Sequence, residues 1–185
     1  EKPEYKITEY VEKNNYGKFE LEPLERGFGT TIGNALRRVM LSSMPGSAIT
    51  SVKIEGVMHE FQKIDGVVED VTSIILNLKS VVIKNHTHED KKIHLYADKE
   101  GVVKAGDIEV DADLEIVNPD LVICNLVQGG KIDMEMTVGC GRGYVDSKEN
   151  KKILGDTVQG LIPIDSLYSP IERVAYEVEG ARVGH

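Results

Sequence analysis

The sequence predicts an α+β protein. Three observations predict it. Two stretches, 30–43 and 67–78, repeat apolar residues at helical spacing. Between 80 and 138, short apolar runs alternate with turn residues in the manner of strands. The chain has 185 residues and is 41% hydrophobic, which is enough for a core without disulfide or metal staples; at 5% aromatics and no Trp, that core is aliphatic.

The elements follow in chain order. Residues 1–26 read as extended, with polar and apolar residues alternating over 18–22 until Pro23 interrupts. Residues 25–29 form a turn, and Thr30 or Thr31 can cap a helix over 30–43. Ile32, Ala35, Leu36, Val39 and Met40 make one apolar stripe, with Leu41 at its edge and Arg37 and Arg38 off its centre. Pro45-Gly46 ends this rod of roughly 21 Å. Gly33 costs the helix about 1 kcal/mol against Ala, which makes sense if another backbone packs closely there. Ala48, Thr50, Val52 and Ile54 share one face of a strand. A second helix carries Val67, Val71, Ile74, Ile75 and Leu78, with Asp65 as its cap and Lys79 favouring its C-terminal end.

Strands are predicted at 81–83, 93–96, 114–117, 121–126 and 132–138, the last alternating most clearly through Ile132, Met134, Met136 and Val138. The polar stretch 146–159 predicts a mobile loop, and short β segments return at 161–164 and 174–178. No internal repeat or low-complexity tract occurs.

Charge and composition bound the function. The formal net charge is −9, and neutralising a phosphate backbone needs clustered Lys and Arg, so the chain is a poor candidate for gripping nucleic acid alone. Cys124 and Cys140 have neither zinc-knuckle nor CxxC spacing and read as free thiols of a reducing compartment. The longest apolar runs fall far short of a membrane span and no signal peptide is expected, so a cytoplasmic location is the expectation.

Three motifs tempt towards chemistry. Gly27, Gly29 and Gly33 follow a strand and open a helix, as in a dinucleotide-binding turn, but Ile32 occupies the third glycine position. His86 and His88 beside Glu89 and Asp90 read as histidines of a hairpin tip rather than metal ligands, and His59-Glu60 lacks the spacing of a zinc helix. Gly139-Cys-Gly-Arg-Gly-Tyr144 reads as a bend leaving a strand rather than an anion nest or a cysteine nucleophile. No catalytic residue, metal site or cofactor is expected.

Several strings in order carry a resemblance. They are Leu21-Glu-Pro-Leu-Glu-Arg-Gly-Phe-Gly29, Thr31-Ile-Gly-Asn-Ala-Leu-Arg-Arg38, Leu41-Ser-Ser-Met-Pro-Gly46, His59-Glu-Phe61, Gly66-Val-Val-Glu-Asp-Val71, Ile75-Leu-Asn-Leu-Lys79, Gly141-Arg-Gly-Tyr144 and Tyr168-Ser-Pro170. Together they resemble the amino-terminal assembly domain of the bacterial DNA-directed RNA polymerase alpha subunit, over nearly the whole chain. The resemblance implies a discontinuous dimerisation subdomain, 1–45 plus 171–185, and an inserted β-rich subdomain, 46–170. It implies a homodimer formed through Phe28, Ile32, Leu36 and Val39. It also implies beta-subunit docking through Arg38 and Leu41, and beta-prime docking through Lys79 and Ile164. Nucleotidyl transfer would belong to partner subunits, and DNA would be met only through the assembled complex. The family's chain continues past the string ending at Gly184 into a further helix, a linker and a DNA-binding domain.

Overall fold

The computed structural model describes residues 6–13, 16–22, 26–155, 158–169 and 173–180. The chain divides into two compact units, Glu1–Met40 with Arg173–His185, and Leu41–Glu172.

In the first unit, strands β1 (Lys6–Lys13) and β2 (Tyr16–Glu22) form an antiparallel hairpin, paired from Lys6↔Glu22 to Lys13↔Tyr16. Helix α1 (Phe28–Ser42) follows. It starts at Phe28, ahead of the predicted Thr30 or Thr31 cap. Val178 lies against Gly29 and supports a first turn that glycine alone would leave weak. Residues 174–178 form no strand, contrary to expectation. They follow α1 instead: the Arg37 side chain donates to Val174 O at 3.3 Å, and the Tyr176 hydroxyl donates to Asn34 Oδ1 at 2.7 Å.

The second unit is built on β3 (Pro45–Ile54), which is buried without a break from Ala48 to Val52 because both its faces are covered. One long edge of β3 pairs with β9 (Ile132–Arg142) from Pro45↔Arg142 to Ile54↔Met134. Its other edge pairs with β4 (Ile83–Asn85) at Ser47 and with β11 (Leu161–Pro163) at Ser51, Val52 and Lys53. The sheet is completed by β5 (Lys91–Ala97) beyond β9 and β7 (Leu114–Ile116) beyond β4, all antiparallel. Two ribbons pair outside its strand ladder: β6 (Gly101–Lys104) with β8 (Val122–Leu126), and β10 (Tyr144–Val145) with β12 (Ser166–Leu167).

Helix α2 (Val71–Lys79) packs on β8 and β3 through Val71, Ile74, Ile75 and Leu78, all buried. Those four side chains give on the order of 6–12 kcal/mol gross, before entropy. The helix is shorter than its apolar spacing predicts, and its cap is Asp70, whose Oδ1 accepts from Ser73 N at 2.8 Å, not Asp65. The chain cannot coil earlier because Gly66 has φ +81 and its carbonyl lies where a Cβ on Gly130 would stand. Val67 is therefore held in a turn, bonded to Ile64 O and bridged to Leu126.

The predicted mobile loop contains helix α3 (Ser147–Leu154), capped by Asp146 Oδ1 on Glu149 N at 2.9 Å. Its one buried residue is polar. Asn150 Nδ2 donates to Ile164 O at 2.7 Å and to Ser166 Oγ at 2.9 Å, and Ser166 Oγ donates to Ile49 O at 2.8 Å. This chain of bonds, not an apolar stripe, docks α3. Among the described residues no helix is long and apolar enough to cross a membrane.

Candidate functional site

Two surfaces gather the residues singled out above. On α1 none of the fifteen residues is buried. Phe28 is 48%, Leu36 39% and Val39 50% exposed, while Ile32 is half-buried. An apolar stripe left this open within one chain calls for an external cover. Gly29 and Gly33 lie one turn apart on the side that meets the tail. A Cβ on Gly33 would come within 2.8 Å of Tyr176 Cγ, so the close neighbour is an aromatic ring and not a backbone. Val178 and Tyr176 thus occupy the space beside these two glycines. Arg38 is exposed, and Leu41 is half-buried on the next turn of the same helix.

The second surface lies at the C-terminal end of α2. Lys79 Nζ donates to Asp165 Oδ2 at 2.9 Å, and Ser147 N, at the start of α3, donates to Asp165 Oδ1 at 2.7 Å. The Lys79 ammonium is the foremost cause holding the Asp165 carboxyl below the ordinary range; burial opposes it, and the Ser147 N–H bond and the nearby Tyr144 hydroxyl add to the lowering. Burial leads in pushing the Tyr144 phenol up, and the nearby Asp165 carboxylate adds to that.

Ile164 is 1% exposed, so its side chain belongs to the core. Its N–H donates to Thr50 O at 3.0 Å and its carbonyl receives Asn150. Sequence reasoning missed Asp165. Nothing local distinguishes it among 31 acidic residues, because its partners come from positions 79 and 147.

The remaining motifs resolve into packing. The Tyr168 ring covers Gly139 and Gly141: a Cβ at Gly141 would lie 2.8 Å from Tyr168 Cε2. Gly143 turns the chain at φ +62, with Ser42 O against it. The glycine-dense stretch thus seats a buried tyrosine and a close backbone. Cys140 is exposed and receives Asn85 Nδ2 at 3.5 Å. Cys124 is buried, and desolvation, with the Glu69 charge second, pushes its thiol up to about 12. His86 N donates to Asp113 O at 2.8 Å as β4 ends. Among the described residues no group of three or more His, Cys, Asp or Glu is placed to hold a metal.

Comparison with known proteins adds the following. Residues 52–169 match the family model described as the RNA polymerase Rpb3/RpoA insert domain. The chain is 58% identical over 184 residues to the DNA-directed RNA polymerase subunit alpha of Desulfitobacterium hafniense strain Y51, covering 100% of this chain and 58% of that relative. It is 56% identical over 184 residues to the subunit of the same name from Desulforamulus reducens, with the same coverage. It is 55% identical over 185 residues to the one from Symbiobacterium thermophilum, again with 100% and 58% coverage. The chain thus spans 58% of the length of these curated relatives.

Proposed function

Because the chain belongs to the RNA polymerase Rpb3/RpoA insert-domain family, among bacterial alpha subunits, we propose that it is the dimerising assembly scaffold of a bacterial DNA-directed RNA polymerase. The observation that carries this reading is α1, an amphipathic helix of fifteen residues with no buried residue. Phe28, Ile32, Leu36 and Val39 would meet the same stripe of a second copy, as a two-fold contact is self-complementary. Each such side chain covered is worth about 1.5–3 kcal/mol gross, before the entropy of association. The unit made of Glu1–Met40 and Arg173–His185 would be the dimerisation part, and Leu41–Glu172 the inserted part.

The dimer would then recruit the large subunits. Arg38 would meet the beta subunit through its guanidinium fork, which suits interface carboxylates better than an ammonium does, with Leu41 three residues further along α1. Lys79 would meet beta-prime. Ile164 would serve that contact from inside the core, by placing the adjoining Asp165. Nucleotidyl transfer and its metal would reside in the partners, this chain would hold no cofactor, and DNA would be met only through the complex. A net charge of −9 suits that division of labour.

Co-purification of the untagged chain with tagged beta subunit, with mass followed by light scattering, tests the reading. Two copies of the chain per beta support it. A folded monomer that leaves beta unbound, both as this chain and when extended to full length, refutes it. Arg38→Ala is expected to keep fold and dimer while losing beta; beta recovered at the normal yield would remove Arg38 from the docking role.

A further inference from the structure

The Asp165 carboxylate ties two separate helices together. It receives Lys79 from the last turn of α2 at 2.9 Å and the Ser147 N–H from the start of α3 at 2.7 Å. The Lys79 and Asp165 side chains are 34% and 26% exposed, so the pair sits at the surface yet is partly sheltered. Leu76 on α2, Tyr144 on β10 and Leu167 on β12 are exposed apolar residues, and Tyr144 and Leu167 are direct cross-strand partners. Apolar and aromatic side chains with polar groups at their rim make up an interface patch.

We propose that Asp165 is the positioning residue of this patch: it holds the Lys79 ammonium in one place and balances its charge, so that a partner meets a pre-oriented donor. This rests on the reading that Lys79 meets the beta-prime subunit. A lysine on a four-carbon stem loses rotamer freedom when it docks, and here that loss has already been taken on folding. An ammonium has more donors than Asp165 uses, and the rest remain for the partner. Since Asp165 already supplies the counter-charge, the partner group that fits is a neutral acceptor, such as a backbone carbonyl or side-chain amide oxygen. A partner carboxylate would be repelled by Asp165. Lys79→Ala therefore does two things: it deletes a donor, and it leaves Asp165 uncompensated at the interface.

The test uses the full-length alpha subunit with purified beta and beta-prime, titrating beta-prime capture by Lys79→Ala, Asp165→Asn and the double variant, each checked by thermal melting. Each single change is expected to weaken capture about two- to fivefold, the range for a partly exposed pair. The double variant should bind no more weakly than Lys79→Ala alone, since Asp165 acts through Lys79.

Ser147→Pro covers the case in which Asp165→Asn fails to fold. It removes only the N–H that Asp165 receives: proline is tolerated at the first helical position, and Asp146 before it is already extended at φ −77 and ψ 167. It should weaken capture to a similar degree while α3 persists. Wild-type capture by Asp165→Asn, or losses that add in full in the double variant, overturn the positioning role. Wild-type capture by Lys79→Ala instead overturns the beta-prime reading, and the inference with it.

Discussion

Truncating Asn150 to Ala should undock α3 from the sheet. The residue is 2% exposed, and its amide spans to Ile164 O at 2.7 Å and Ser166 Oγ at 2.9 Å. Two neutral hydrogen bonds contribute about 0.5–1.5 kcal/mol each. The buried Ile164 carbonyl, left without its amide partner, adds about 1–3 kcal/mol of uncompensated desolvation, and part of this overlaps the first sum. The expected loss is about 2–4 kcal/mol. Asn150→Asp should cost more, because a carboxylate oxygen would face the Ile164 carbonyl in place of a donor. Urea unfolding followed by far-ultraviolet circular dichroism measures the loss, and hydrogen exchange locates it: the α3 amides should lose protection first. Lys152→Ala is the control on the same helix. Its pair with Glu149 at 3.3 Å is exposed, and its removal should change stability by less than ~0.5 kcal/mol. An Asn150→Ala loss below ~0.5 kcal/mol would refute the reasoning, because α3 would then be docked by something other than this network.

Other consequences are equally open to measurement. Gly130→Ala sets a methyl group against the Gly66 carbonyl, so the turn must shift and stability should fall by at least ~1–3 kcal/mol in urea unfolding; a neutral result would contradict the close approach. Alkylation at pH 8 read by mass spectrometry should modify exposed Cys140 promptly and buried Cys124, raised to about 12, only after unfolding; equal labelling of the two in the folded chain would show the core open at β8. Asp70 is lowered chiefly by its bonds to Ser73, and Asp165 chiefly by Lys79. A carboxylate lowered on folding contributes stability that is present above its unfolded value of about 3.9 and lost as pH falls through the folded value. Asp70→Asn, which keeps an acceptor for Ser73 N, should therefore flatten the acid limb of the stability curve below about pH 4 while leaving neutral stability nearly intact. An unchanged acid limb would count against the cap.

What the sequence by itself determined was set by periodicity and by local chemistry. The alternation of Ile132, Met134, Met136 and Val138 appears as four buried side chains of β9, and the four apolar positions of α2 are its buried face. The stripe on α1 was legible for the same reason, and the ordered strings carried the family. What only the tertiary structure decided depends on partners distant in the chain. The polar stretch after Val145 lacks an apolar face, yet it coils because Asn150 finds Ile164 and Ser166. Helix α2 starts at Val71, because Gly130 presses on Gly66 from across the unit. Residues 174–178 have strand-like composition but follow α1, where Tyr176 and Val178 meet glycines 33 and 29. Asp165 meets a lysine 86 positions away. Periodicity records which face of an element is apolar; which polar atom meets which across that distance is set by chain packing, and no spacing along the sequence encodes it.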